Sequence, residues 1–123
     1  MKQATAKDLD GTLTALADPT RRRVVDLLRE RPRRAGELAD AFGASPAAMS
    51  RHLRVLRTRG LIEEERVGED ARVRVYRLRR EPFSDLGSWL AEIEGYWNDQ
   101  LRAFKAQAER SRKTPTPGRG SRG

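Results

Sequence analysis

Three side chains in the segment 45–60 can recognise a surface that is rich in negative charge and in hydrogen-bonding groups. Ser50, Arg51 and Arg54 lie within about one helical turn of each other, and the segment contains no acidic residue. An arginine can donate two parallel hydrogen bonds to a guanine, and a serine hydroxyl can reach a phosphate or a base edge. We therefore predict that these residues contact DNA; the alternative is an ordinary solvated helix face. Residue types alone do not separate base contacts from phosphate contacts.

The same segment has the signals of one complete helix. Ser45 can cap the free N–H groups of the first turn, Pro46 fits the first helical position, and Gly60 favours an ending. Apolar residues recur three or four positions apart and predict one buried stripe, at Met49, Leu53 and Leu56. About 14 residues make a rod of roughly 21 Å, which fits the major groove of DNA. The outward face holds Ala47, Ser50, Arg51, Arg54 and Thr58, and with Ser45 and His52 it is the predicted DNA-binding helix.

Two members of this set have a second interpretation. His52 is the single histidine of the chain, and a metal site needs several ligands. We therefore expect a hydrogen bond from His52 to the backbone or to a phosphate, rather than a metal site or a pH switch. Ala47 can touch a thymine methyl group, or it can be present only because alanine favours helices.

The residues before this helix predict three more helices, over 8–17, 19–30 and 35–42. Asp18 is the expected N-cap of the second helix, because Pro19 follows it at the first helical position. Arg21 and Arg22 near that start can contact phosphates, and for Arg21 an internal salt bridge is the alternative. The helix over 35–42, a short turn with Gly43 and the helix that follows have the order of a helix-turn-helix.

After Gly60 the pattern changes to that of a strand. The stretches 61–67 and 72–78 contain β-branched residues and flank a turn with a glycine, which predicts an antiparallel hairpin. A hairpin directly after a recognition helix is a wing. The alternation in the second strand is imperfect, so its inward face stays undetermined.

The predicted wing carries basic residues that can reach the minor groove or phosphates, Arg66, Arg72 and Arg74. The alternative is that they pair across the strands with the acidic residues 63–65. Glu69 and Asp70 at the tip would repel phosphate, so we do not expect the tip itself to enter a groove.

Apolar residues spaced three or four apart predict one long helix over 82–109. At roughly 25 cal/mol per Å² of apolar area, so large a surface has to be covered, and a second copy of the chain is the simplest cover. The alternative for the aromatic residues is a ligand pocket. The predicted dimer interface consists of Leu9, Leu13, Leu86, Trp89, Leu90, Ile93, Tyr96, Trp97, Leu101 and Phe104.

Length and composition set the outer limits. The chain has 123 residues, enough for one domain, and a formal net charge of +8, which favours an anionic partner. There is no cysteine, no signal-peptide pattern and no apolar run of the ~20 residues that span a bilayer. We expect a cytoplasmic protein without a membrane partner, with a frayed segment 1–7, one domain over 8–110 and a disordered basic tail over 111–123.

The order and spacing of these pieces resemble the ArsR-type winged-helix transcriptional repressors, from about Leu13 to Leu101. The resemblance implies a homodimer built on the first and last helices, bound to an imperfect inverted repeat at a promoter, where it represses by blocking polymerase. The matching pieces are Ala15-Leu16-Ala17-Asp18-Pro19-Thr20-Arg21, Val24-Val25-Asp26-Leu27-Leu28, Ser50-Arg51-His52-Leu53-Arg54-Val55-Leu56, Gly60-Leu61-Ile62 and Tyr76-Arg77-Leu78.

The sequence departs from the metal-sensing members of that family. Those members carry a cysteine pair on the third helix, or histidine and acidic ligands on the last. Here the third helix reads Glu37-Leu38-Ala39-Asp40-Ala41-Phe42, and the last helix has no histidine. We therefore expect no metal and no cofactor, and the inducer, if one exists, is not identified by the sequence.

The combined prediction is a mainly α-helical fold with a small β-hairpin, a winged helix-turn-helix that dimerises through its first and last helices. Its predicted function is homodimeric, sequence-specific repression of transcription on double-stranded DNA. The alternatives are a winged-helix adaptor between proteins and a non-specific architectural DNA binder. No catalytic residues are predicted, because the chain has no cysteine, one histidine and no glycine-rich phosphate loop.

Overall fold

A computed structural model describes residues 6–69 and 72–113, and it has the predicted architecture of a mainly helical chain with one antiparallel hairpin. The residues form two compact units, one up to Gly87 and one from Ser88 onward. No helix in the described ranges has both the length and the apolar character of a membrane span. The elements are α1 (Ala6–Leu16), α2 (Pro19–Glu30), α3 (Ala35–Phe42), α4 (Pro46–Thr58), β1 (Ile62–Arg66), β2 (Arg74–Leu78) and α5 (Arg80–Lys113).

The ends of the outer helices differ from the prediction. Helix α5 begins at Arg80, two residues before Pro82, because a proline in the first turn removes no hydrogen bond from the helix. It ends at Lys113, inside the tail predicted over 111–123, since the next proline is Pro115. Helix α1 begins at Ala6, inside the segment predicted to fray. The rest of both predicted segments, 1–5 and 114–123, lies outside the described residues.

Side-chain caps fix the starts of two helices as predicted. The Asp18 carboxylate accepts a hydrogen bond from the N–H of Arg21 at 3.0 Å, and α2 begins with a proline. The Ser45 hydroxyl accepts from the N–H of Ala48 at 3.1 Å, and α4 also begins with a proline. Between α3 and α4, Gly43 has a φ of 62°, the left-handed conformation that glycine adopts at low cost. The turn of the helix-turn-helix is therefore set locally.

The core of the first unit lies beneath the helix-turn-helix. The predicted stripe of α4 is buried at Met49, Leu53 and Leu56, and it packs with buried side chains from α1, α2 and α3 and with the residues that lead into β1. Phe83 of α5 packs against the same cluster from within this unit. The cluster consists of Ala15, Val24, Leu28, Leu38, Ala39, Met49, Leu53, Leu56, Leu61 and Ile62.

The hairpin pairs Ile62 with Leu78 at one end and Arg66 with Arg74 at the other. On β2, the side chains of Tyr76 and Leu78 pack against the core, and this identifies the inward face that the sequence left undetermined. Tyr76 also exchanges two backbone hydrogen bonds with Arg33, of 2.8 and 3.1 Å. The wing is thus joined to the segment that leads into α3.

Replacing Gly43 with alanine tests how much the turn between α3 and α4 depends on its left-handed residue. An added Cβ would meet no atom within 4 Å, so the cost is conformational only. We expect the free energy of unfolding to fall by about 1 kcal/mol. Gly36→Ala is the matched control, because Gly36 is helical and also has free space, and it should raise that free energy by roughly 0.5–1 kcal/mol. Urea denaturation measures both, and equal shifts for the two variants would contradict the expectation.

Candidate nucleic-acid interface

The outward face of α4 consists of exposed side chains, at Ala47, Ser50, Arg51, Arg54 and Thr58. Within residues 6–69 and 72–113, the side chains of Ser50, Arg51 and Arg54 make no hydrogen bond or ion pair to the protein. A free guanidinium group keeps all five of its N–H donors available for a ligand. The structure therefore brings the three predicted residues together on one open, acid-free surface.

Ser45 stands at the N-terminal end of this face and has a structural role. Its hydroxyl oxygen accepts the capping hydrogen bond from Ala48, while the hydroxyl proton remains free to donate. A contact between Ser45 and a phosphate is thus compatible with the cap. Its assignment to DNA stays a prediction.

His52 lies beside the outward face and not on it. Its side chain is 24% exposed, and Nδ1 is 3.9 Å from a carboxylate oxygen of Asp18. The pKa of Asp18 is lowered, first because its carboxylate accepts the N–H of Arg21, and further by the charges of Arg21 and His52. The middle of helix α4 therefore lies next to the start of α2. His52 has a neighbour within the protein, Asp18, and its contact to DNA stays a prediction.

Two arginines at the start of α2 bind the end of α1. Arg21 donates from Nε to the carbonyl of Ala15 at 2.8 Å, and Arg22 donates from Nη1 to that of Leu16 at 2.7 Å. Carbonyls in the last turn of a helix have no partner within it, so these guanidinium groups satisfy them. The side chain of Arg21 thus binds backbone carbonyls and does not form the salt bridge that the sequence offered as an alternative, while its phosphate contact stays a prediction.

On the wing, Glu64 organises the basic residues around it. Its carboxylate accepts a hydrogen bond from the Tyr76 hydroxyl at 2.9 Å and lies 3.4 Å from Arg57 and 3.7 Å from Arg74. Partial burial, and then the bond to Glu64, raise the pKa of Tyr76. Cross-strand pairing thus applies to Arg74, although its guanidinium stays about half exposed. Arg57 had no predicted role, and only the fold shows that the end of α4 meets β1.

The other acidic residues of β1 pair with Arg77, at 2.8 Å for Glu63 and 3.6 Å for Glu65. Arg66 consequently has no ion pair within the part of the chain that the structure describes. It stands opposite Arg74 in the register, so two like charges face each other at the end of the strands next to the turn of the hairpin. Such a pair is unfavourable by itself and becomes favourable next to an anion.

The predicted dimer residues are divided between the two units. In the first unit Leu13 is exposed, whereas Leu9 and Leu86 are partly buried. In the second unit, exposure along α5 rises from partial at Ile93 to 59% at Trp97, 65% at Leu101 and 73% at Phe104. The remaining predicted residues, Trp89, Leu90 and Tyr96, are also exposed. An apolar stripe of this length on one helix indicates an interaction surface.

Comparison with known proteins agrees with this architecture. The family described as bacterial regulatory protein, arsR family, matches residues 18–64, the region of α2, α3, α4 and the start of β1. The HTH-type transcriptional regulator Rv2034 of Mycobacterium tuberculosis (strain ATCC 25618 / H37Rv) is 34% identical over 101 residues, which cover 82% of this chain and 89% of that protein. The transcriptional repressor SdpR of Bacillus subtilis (strain 168) is 34% identical over 61 residues, 50% of this chain and 68% of that protein. A solved ArsR-like transcriptional regulator from Rhodococcus sp. RHA1 superposes with a TM-score of 0.68 at 29% identity, covering 83% of this chain and 93% of its own.

Asp18→Asn tests the charge of the capping carboxylate that joins α2 to His52. Asparagine still caps a helix, so the variant removes only the ionised group. Because the pKa of Asp18 in the folded protein lies below its ordinary value of 3.8, the stability from this charge is present above about pH 4 and is lost as the pH falls through the folded pKa. We expect the wild type to be more stable by about 0.3–1 kcal/mol near pH 7, with a gap that closes below about pH 4. Urea denaturation at several pH values measures it, and a gap independent of pH would contradict the assignment.

Proposed function

Because this chain belongs to the arsR family of bacterial regulatory proteins, we propose that it is a homodimeric transcriptional repressor that binds an inverted repeat in promoter DNA. The observation that carries the proposal is the open face of α4. Ser50, Arg51 and Arg54 stand there without partners among the described residues, on a helix whose other side is fixed in the core. Such a face is complementary to the floor and walls of a major groove.

The proposed division of work on DNA follows from the partners that each arginine already has. Arg51 and Arg54 have none in the described part of the chain, so they are free to form bidentate pairs with guanine. Arg74 is held by Glu64 at 3.7 Å and suits a phosphate contact, which requires charge more than a fixed orientation. Arg66, the last residue of β1, and Arg72, two residues before β2, are further basic residues of the wing close to the turn of the hairpin. Base readout would then belong to α4, and positioning on the backbone to the wing.

A dimer of this chain would present two copies of α4 to the DNA and so recognise a longer site than one copy can. One recognition helix reads only a few base pairs, and a two-fold dimer doubles the site into an inverted repeat. The exposed stripe on α5 supports association with a second copy, because apolar area of this kind is stabilised by removal from water at roughly 25 cal/mol per Å². The proposed interface comprises this stripe together with Leu9, Leu13 and Leu86.

Repression is the regulatory outcome that we propose. The relative SdpR is described as a transcriptional repressor, and this chain covers 68% of it. A small dimer on promoter DNA can repress by occupying the sequence that the polymerase needs. No catalytic step is required for this function.

The first test is selection of binding sites from random duplex DNA at near-physiological salt, followed by sequencing. We expect an inverted repeat to be enriched, with a half-site spacing of about one helical turn or a multiple of it. Binding without an enriched motif, and with a steep loss as salt rises, would overturn the proposal in favour of an architectural DNA binder. Capture of a different protein with no retained DNA would favour an adaptor instead.

Arg54→Ala tests base readout by α4. We expect a loss of about 1–3 kcal/mol in specific binding and relaxed selection at one base pair of each half-site, because a bidentate contact is removed. Fluorescence anisotropy with the selected duplex and with single-base variants measures both effects. Arg29→Ala, on an exposed part of α2, makes the same change in charge and should leave the preference intact. Unchanged operator affinity for both Arg51→Ala and Arg54→Ala would refute the readout by this face.

Trp97→Glu tests the second copy. A carboxylate in the centre of an apolar interface has no partner there, so we expect the sedimentation mass to fall from dimer to monomer. Affinity for the full inverted repeat should fall on the order of 100-fold, since the two half-sites would no longer be bound together. Ala103→Glu, an exposed position on another side of the same helix, is the matched control and should remain dimeric. A monomeric wild type would refute this part of the proposal.

A further inference from the structure

An open cleft of about 310 Å³ lies between the start of α3 and the wing. Its lining includes Arg34 and Gly36 from the α3 side, and Arg72, Arg74 and Tyr76 from the wing. Arg34 is the residue just before α3, and no role was predicted for it. The cleft thus brings an unassigned arginine together with two arginines of the predicted interface.

The cleft is built on a fixed backbone. The two hydrogen bonds between Arg33 and Tyr76 join its two walls directly beside Arg34. Arg33 is itself anchored, because its side chain donates to the carbonyl of Leu27 at 3.1 Å and pairs with Glu30 at 2.7 Å. The walls therefore hold their spacing without a ligand.

Among the described residues, the lining of the cleft holds three arginines and no acidic residue. Glu37 is the acidic residue next to Arg34, and its carboxylate is engaged by the backbone N–H of Arg34 at 3.1 Å and by Arg31 at 2.9 Å. Both contacts lower the pKa of Glu37. Within the described residues the Arg34 guanidinium forms no ion pair. On the wing side, Glu64 divides its charge between Arg74 and Arg57. Three guanidinium groups that line one cleft favour an anion, which each can bind by charge-assisted hydrogen bonds.

Gly36 is the residue of the cleft that packing does not explain. It lies in the first turn of α3 with an ordinary helical φ, and a Cβ at this position would meet nothing within 4 Å. Glycine in a helix costs roughly 0.5–1 kcal/mol relative to alanine, so neither the local conformation nor packing favours it. What glycine does provide is access, because a ligand can approach its backbone closely.

We infer that this cleft binds a phosphate group of the DNA backbone, with Arg34, Arg72 and Arg74 as its cationic ligands. The inference rests on the proposed function and adds a contact from the first helix of the helix-turn-helix. DNA is the favoured source of the phosphate because the cleft is open and bordered by the wing, whereas small-molecule pockets enclose most of their ligand. A free phosphate compound shares the chemistry and is distinguished by the test.

The sharpest variant is Gly36→Glu. A carboxylate in the first turn of a helix is favourable for folding, yet here it would occupy the space between the arginines. We expect a melting temperature no lower than that of the matched control Gly36→Ala, together with DNA affinity about tenfold weaker than that control. Arg34→Ala should weaken binding to all duplexes by a similar factor, reduce the salt dependence by about one counterion and leave the selected motif unchanged. Arg29→Ala is the control for the loss of charge.

A second measurement identifies the phosphate. Single backbone phosphates of the selected duplex are replaced one at a time by neutral methylphosphonate. One replacement that weakens the wild type but not Arg34→Ala supports the cleft contact. Wild-type binding to the duplex with unchanged affinity for both Gly36→Glu and Arg34→Ala overturns the inference and leaves the proposed function standing.

Failure of the wild type to bind any duplex overturns the proposed function and, with it, DNA as the source. Titration with inorganic phosphate, followed by the amide signal of Gly36 in NMR spectra, then decides the chemistry of the cleft. A shift that is lost in Arg34→Ala supports a site for a free phosphate compound. No shift overturns the site altogether.

Discussion

Burial of one apolar stripe on α4 determines the direction of every other side chain on that helix. Met49, Leu53 and Leu56 are buried, and each stabilises the fold by about 1.5–3 kcal/mol relative to exposure. A rotation that moved Arg51 or Arg54 inward would lose this burial and would also place an unpaired guanidinium in the core, at a cost of several kcal/mol. The open face of α4 is therefore a consequence of its packed face.

Several arginines of the first unit belong to one of two groups with different physical roles. The first group forms hydrogen bonds and ion pairs within the protein. Arg21 and Arg22 bind carbonyls at the end of α1, and Arg77 pairs with acidic residues of β1. The other group, on the outward face of α4, has no partner within the described chain. Net charge alone cannot distinguish the two groups, because both contribute equally to it. The proposed function depends on the second group, and the first group stabilises the fold that holds α4 in place.

The two units differ in how much of their apolar surface is buried. In the first, the helices and the hairpin enclose a common cluster, so few large apolar side chains remain exposed. In the second unit, the described residues 88–113 belong to one helix, and among them no second element covers its apolar stripe. Apolar area that stays exposed to water is unfavourable, and association with a second copy would bury it. The proposed dimer would thus bury the apolar stripe that the spacing of residues on α5 produces.

The helices, their caps, the turn at Gly43 and the outward face of α4 could be predicted without the fold, because they depend on local spacing and on residues near in the chain. Asp18 and Ser45 are examples, since each caps a helix that starts at the next residue. Contacts between residues far apart in the chain became visible only in the folded protein. Arg33 joins Tyr76 across more than forty positions of the sequence, and Glu64 gathers Arg57 and Arg74 from two elements. No local pattern encodes such pairs, because they depend on how α3, α4 and the hairpin pack around one core, and that packing alone creates the cleft at Arg34.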